Sequence, residues 1–317
     1  MSMGSTEAPG PCDVRGRGHS VCHAAGYLPA LCAEDHSPDT RYPGGMRTTG
    51  TVADVRALGP HDHACWTFDE PADFQVAAHA FLRGGLAMGE RVCLAGSERD
   101  IEAWLTDGRV ARAVADGAAI ANVVDQTRRS FDLVTQLDLC RAATEVALAD
   151  GYSGFRVAAD VTAVVREPTN LAEFVRYEQL VDRYMAAEPF SAMCAFRRAD
   201  LPSTALARLA SVHPAGNSGA PFRIFANPDG GTAIAGDLDM TTSDLLCAAL
   251  AGVEPLIVRG ELVLDATRLA FIDHRSLLVL ARFAATRGTT LVLRTRKPHL
   301  SRLIDLLELR HVRVEGE

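Results

Sequence analysis

Residues 63–95 read HACWTFDEPADFQVAAHAFLRGGLAMGERVCLA, and this stretch decides the fold. It opens on an apolar run, His63-Ala64-Cys65-Trp66-Thr67-Phe68, of strand length. Asp69 and Glu70 then precede Pro71. That is a helix start, because proline at the first helical position gives up only an N–H that has no partner there. Phe74, Ala77, Ala78, Phe81, Leu82 and Leu86 recur on one helical face. Gly84-Gly85 and then Gly89 mark the expected end of that helix, and residues 91–95 return to an apolar strand. Strand, helix, strand without a hairpin turn is a β-α-β unit, whose crossover helix joins parallel neighbours.

The alternation continues outward. Apolar runs at 118–124, 155–161 and 191–196 alternate with helical periodicity at 101–105, 131–148, 171–187 and 201–212. Runs such as AIANVV and AMCAF suit strands covered on both faces. Residues 214–221, PAGNSGAP, read as a linker. Beyond it, strands at 222–226 and 232–235 flank the turn Asn227-Pro228-Asp229-Gly230. Thr242 or Ser243 caps a helix reaching about residue 251. A strand at 262–265, a helix opened by Asp273, a strand at 291–293, a helix after Pro298 and an edge strand at 312–314 complete the chain. The expected organisation is a disordered leader over 1–50, an α/β domain over 51–215, a linker over 216–221 and a smaller α/β domain over 222–317.

Composition narrows the function. A net charge of -8 argues against a general nucleic-acid binder, which needs a basic surface. No window approaches the roughly 18 consecutive apolar residues of a membrane span, and the first residues lack the apolar run of a signal peptide. The expected place is the cytoplasm, with the eight cysteines as reduced thiols. Cys12, His19, Cys22, His23, Cys32 and His36 lie in the leader, but no C-x2-C pair organises them for zinc. Cys194 reads as a small buried hydrophobe, and His213 as a helix C-terminal residue that meets free carbonyls.

The order β-β-α-β-α-β-α over 222–317 carries Gly236-Asp237-Leu238-Asp239 and the run from Leu264 to Asp273. It resembles the STAS domain of anti-sigma-factor antagonists. In that family the run ends in Asp-Ser-Ser-Gly at a helix start, and a partner kinase phosphorylates a serine there. Here the four positions are Asp273, His274, Arg275 and Ser276. Arginine therefore stands where the acceptor serine would be. Ser276 is either a displaced acceptor or a small residue near a helix start. The resemblance implies a face at Asp273, His274, Arg275 and Ser276 that binds an anti-sigma factor or a histidine-kinase-like ATPase domain.

The first domain carries His63-Ala64-Cys65, the phrase from Gly84 to Arg91, the run from Phe155 to Asp160, Phe174-Val175-Arg176-Tyr177-Glu178, Met193-Cys194-Ala195-Phe196 and His213-Pro214. In that order they resemble the MEDS domain, a sensory module named for methanogens, methylotrophs and a regulator of dichloromethane use. The resemblance implies a three-layer, RecA-like sheet domain. Asp160 stands where a glutamate is usual, and Ala163 where a tryptophan is usual. No P-loop is present: Phe68-Asp69-Glu70-Pro71 fills its place, and the sole lysine, Lys297, lies in the other domain. Candidate ligand-binding residues are His63 and Cys65, which share a strand face, Asp160 and Thr162 at a strand end, and Tyr177 and Glu178 on the next helix. Glu178 is also the expected partner of Arg156. No cofactor and no metal are expected. The resulting expectation is a non-catalytic signal-transduction regulator with a possible small-molecule ligand in its first domain. The alternative is an enzyme, a hydrolase or nucleotide-using protein, acting through Asp160, Glu178 and His63.

Overall fold

Side-chain caps set where the elements of the first unit begin. Ser97 and Asp100 cap one another's backbone, and Asp132 accepts from the amides of Val134 and Thr135. The structure, a computed structural model, describes residues 47–124, 131–253 and 257–316. In chain order the first unit comprises β1 (Gly50–Thr51), β2 (His63–Phe68), α1 (Pro71–Ala87), β3 (Arg91–Gly96), α2 (Glu98–Leu105), α3 (Gly108–Ala115), β4 (Ala119–Val123), α4 (Leu133–Ala149), β5 (Phe155–Asp160), α5 (Thr162–Val165), α6 (Pro168–Ala187), β6 (Phe190–Arg197), α7 (Ser203–Ser211) and β7 (Ala215–Gly216). Its sheet runs β1-β7-β2-β6-β5-β3-β4, and every pairing is parallel. The chain leaves β3 for β4 on one side and returns to β5 on the other. The carboxyl ends of β3 and β5 therefore flank a topological switch point, where open sheets place their crevices.

The second unit comprises β8 (Phe222–Ala226), β9 (Thr232–Leu238), α8 (Ser243–Leu250), β10 (Ile257–Val258), β11 (Glu261–Asp265), β12 (Leu269–Ile272), α9 (His274–Ala285), β13 (Thr290–Arg294), α10 (His299–Leu306) and β14 (Val312–Glu315). β8 lies antiparallel along Thr232 to Gly236 of β9. β11 and β12 therefore share the opposite edge, pairing with the start and the end of β9 in parallel. β13 and β14 extend the sheet, also in parallel. The α/β class read from the sequence is thus the class found. Among the described residues no helix is long and apolar enough to cross a membrane.

Three local expectations are corrected. The stretch 214–221 is not linker throughout: 214–216 are buried, while Gly219 and Pro221 are exposed. Ala215 and Gly216 form β7 between β1 and β2, and a Cβ at Gly216 would lie 2.4 Å from the Cys65 carbonyl oxygen. Asn217 then binds both the N–H and the C=O of Thr67, extending the ladder with a side chain. The leader boundary at residue 50 also moves. Arg47 is buried, and Gly50 donates to the Pro214 carbonyl. Residues 1–46, with the leader cysteines and histidines, lie outside the described residues. Finally, Gly84 and Gly85 do not end α1. They leave room for Arg156, which crosses the helix to pair with Glu90 at 2.5 Å and lies 4.6 Å over the Phe81 ring. Arg156 is therefore the partner of Glu90, not of Glu178.

The two units share one apolar core. Phe174, Val175, Leu209 and Val212 of the first meet Ile224, Ile234, Leu246 and Leu250 of the second. The opposite face of the first sheet packs Phe74, Phe81, Leu82 and Trp104 separately.

A Cβ at Gly85 would stand 2.8 Å from Arg156 Cδ. Gly85→Ala is expected to displace the buried guanidinium and to cost about 1–3 kcal/mol in denaturant unfolding. Gly108→Ala, with open space around its Cβ, should be close to neutral in the same assay.

Candidate functional site

Helix α6 would be an unremarkable amphipathic helix but for two carboxylates. Glu178 and Asp182, one turn apart, are both fully buried against the sheet. The adjacent strands β2 and β6 supply what they meet. His63 pairs in register with Ala192, so Cys194, two residues on, faces α6 from the same side. His213, just past α7, completes the group.

The geometry is tight. His63 Nε2 lies 2.8 Å from Glu178 Oε2, and His213 Nε2 lies 3.4 Å from the same oxygen. Cys194 Sγ is 3.8 Å from His63 Nε2, and the two imidazole rings lie 4.2 Å apart. On its other side His63 Nδ1 is 3.1 Å from Asp182 Oδ1, and His213 Nδ1 is 2.8 Å from the Leu209 carbonyl. The latter is the carbonyl contact the sequence suggests for His213. Asp182 also accepts from Arg47 Nη2 at 2.5 Å and from the Ala226 amide at 2.6 Å, while Arg47 Nη1 donates to the Ala226 carbonyl. Ala226 closes β8, so this buried network spans both units.

The electrostatics follow from burial and partners. Burial alone would lower the His63 pKa, but the Glu178 and Asp182 carboxylates lift it to about 9. Burial, with the charge of His63 beside it, takes His213 down to about 4. Burial would raise both carboxylates, yet the neighbouring histidines hold Glu178 below the usual range, and Arg47 and His63 hold Asp182 well below it. The Cys194 thiol is pushed far up by burial and by Glu178. The four side chains His63, Glu178, Cys194 and His213 bring metal-type donor atoms within 4.8 Å of one another, and none is open to a substrate.

The sequence candidates divide. His63 and Glu178 meet, as described. Cys65 shares the face of His63 but sits in the apolar core, its thiol raised to about 12 by burial. Tyr177 turns away from Glu178 and contacts Cys140 Sγ at 3.4 Å among Phe131 and Phe174. Asp160 and Thr162 lie apart from these, at the switch point. Asp160 accepts from the Thr162 amide and hydroxyl, and burial raises its carboxyl pKa. Reasoning from the sequence missed Asp182, Arg47 and the joint role of Cys194 and His213. The signal for the first was two acids four residues apart on an otherwise apolar helix face.

In the second unit Asp273 caps α9, accepting from the Ser276 amide at 2.7 Å. His274 and Arg275 are exposed. Ser276 is fully buried, its hydroxyl directed at the Asp239 carbonyl. A kinase therefore has no access to it in this conformation.

Residues 62–214 match a family model: MEDS, the methanogen/methylotroph, DcmR sensory domain. The match spans the buried cluster and the switch point but ends before β7. Among solved structures, the chain is similar to the flagellar accessory protein FlaH of Methanocaldococcus jannaschii at 12% identity and a TM-score of 0.35, covering 52% of this chain and 70% of that one. No curated protein matches.

Asp182 takes three donors on two oxygens, and an amide offers only one acceptor. Asp182→Asn therefore sets an N–H₂ against Ala226 N–H or against Arg47 and His63. The expected loss is about 3–5 kcal/mol, read by urea unfolding of the full chain.

Proposed function

We propose that the chain is a non-catalytic, cytoplasmic signal-transduction regulator. Its sensory-type first unit controls a STAS-like second unit that binds an anti-sigma factor or a histidine-kinase-like ATPase domain. The observation that carries this reading is a hydrogen-bonded route from the switch point to the second unit. Thr162 Oγ1 accepts from the Arg197 amide. Arg197 and Arg198 both hold Asp69, and Arg198 also donates to Thr67 Oγ1. Thr67 is bound to Asn217 and Ser218, and Arg223 of β8 donates to the Ser218 carbonyl. A small ligand at Asp160 and Thr162 that favours one arrangement of this route would bias the second unit.

The second unit supports the partner role by what it exposes. Phe271, just before His274 and Arg275 in the chain, and Leu278, one turn further along α9, are 52% and 39% exposed. Arg275 and these apolar side chains, with Asp237 on the neighbouring strand and Asp239 just past it, make a mixed face at a helix start that suits a partly apolar partner surface. The enzyme reading is weaker because His63 and Glu178 are sealed from substrate and Asp160 is bound to Thr162.

The test titrates the purified full chain against the anti-sigma factors and histidine-kinase-like domains encoded with it. One of them should bind, and Arg275→Glu should weaken that binding at least about tenfold. Binding indifferent to Arg275→Glu, or none at all, sinks the reading. ATP turnover lost in Asp160→Asn would favour the enzyme instead.

A further inference from the structure

The hydrogen bonds on the far sides of the two imidazoles fix what they present to the cluster. Asp182 and the Leu209 carbonyl can only accept, so His63 Nδ1 and His213 Nδ1 both carry their protons. In the neutral rings both Nε2 atoms are then lone pairs. They converge with the Glu178 carboxylate and Cys194 Sγ in a buried site, where His63, Glu178 and His213 have no exposure and Cys194 is 7% exposed. Lone pairs facing one another in a dry interior repel unless something positive lies between them. A proton on His63 Nε2 answers its contact with Glu178. It leaves His213 Nε2, fully buried, without a hydrogen-bond partner.

A cation answers all of these contacts together. Tetrahedral zinc with bonds of about 2.0–2.1 Å to nitrogen and oxygen and about 2.3 Å to sulfur separates its ligands by roughly 3.3–3.6 Å. Three of the six separations here are 2.8, 3.4 and 3.8 Å, and all lie within 4.8 Å, so side-chain adjustments bring the donors onto such a shell. The charges also balance: one thiolate and one carboxylate match a divalent ion, and Arg47 matches Asp182 behind His63. The Asp182–His63 contact is the arrangement by which carboxylates orient metal-bound histidines.

We infer that His63, Glu178, Cys194 and His213 form a closed, structural site for a borderline divalent cation of the zinc type, set at the joint of the two units. Four protein ligands leave no open position, so the role is structural rather than catalytic. The ion would tie β2, α6, β6 and the end of α7 together beneath β8, and it would enter as the chain folds. This inference stands apart from the signalling reading: either can fail without the other.

The test uses the full chain, purified without a polyhistidine tag after growth with zinc. Elemental analysis should find about one zinc per chain. The chain refolded with cobalt(II) alone should show the intense visible bands of a tetrahedral site and a sulfur-to-cobalt charge-transfer band. Cys194→Ser should remove the charge-transfer band, and His213→Gln should cut bound metal at least about tenfold. Cys65→Ser, and a chain with Cys12, Cys22 and Cys32 all changed to serine, should keep the band. Folded chain with no zinc and no cobalt spectrum overturns the site. So does a band that survives Cys194→Ser or vanishes with the leader cysteines. If the cluster variants do not fold, the metal content and spectrum of the leader variant decide alone.

Discussion

A single carboxylate, Asp182, sets the constraint on which the arrangement of this molecule depends. It is fully buried, and its charge is sustained by donors from three distant parts of the chain: Arg47 ahead of the sheet, His63 within it, and the Ala226 amide in the second unit. An isolated carboxylate in that position would neutralise itself rather than remain ionised. The ordering of residues 47–50, the tautomer of His63 and the seating of β8 on α6 are therefore coupled requirements, each met only when the others are. Gln179, one turn-face over, reinforces the joint by donating to the carbonyls of Val212 and Ile224.

The two faces of the central sheet are built for different ends. Ala64, Met193 and Ala195 point one way into an apolar layer with Phe74 and Leu82. His63, Cys65 and Cys194, offset by one residue, point the other way toward α6. A strand alternates its faces, so a polar cluster can be placed on one side without weakening the other. At the start of α1, where a phosphate loop would lie, Asp69 and Glu70 are exposed and answered by Arg198 and Arg197. That corner holds its own counter-ions, and no lysine is at hand to cradle an anion.

Much of this was legible beforehand, for a physical reason. Parallel strands buried on both faces read as apolar runs, and crossover helices read as periodic ones, so the alternation from His63 to Val212 declares itself. Short elements do not: α5 and β12 are too brief for periodicity to register. Composition misled at 214–216 because glycine there serves a close approach to the Cys65 carbonyl and not a free turn. The site was half legible. His63 and Cys65 do share a face, but neighbours on a helix such as Tyr177 and Glu178 diverge, and only Glu178 reaches the cluster. Asp182 and Arg47 lay hidden because no local pattern links residue 47 to residue 182. Only the tertiary fold does.

The two polar features have opposite relations to solvent, and this assigns them different work. The cluster around Glu178 is sealed, so its state changes only when the joint between the units opens. The route through Asp160, Thr162, Arg197, Arg198 and Asn217 runs along strand ends where Asp69, Glu70 and Arg198 meet water. A signal arriving from solution can act on the second at little cost, whereas acting on the first means undoing the shared core. Under the proposed regulatory role, the sealed cluster is therefore the fixed pivot. The strand-end route, which reaches β8 through Arg223 while Asp182 holds the other end of that strand at Ala226, is the movable side. That strand is also held in between, at Ile224 by Gln179, and Arg223 itself donates to the carbonyls of Ala210 and His213. β9 pairs along β8 and leads to Asp239, whose carbonyl faces Ser276, so under that proposed role this is the contact that joins β8 to the start of α9, where His274 and Arg275 are exposed.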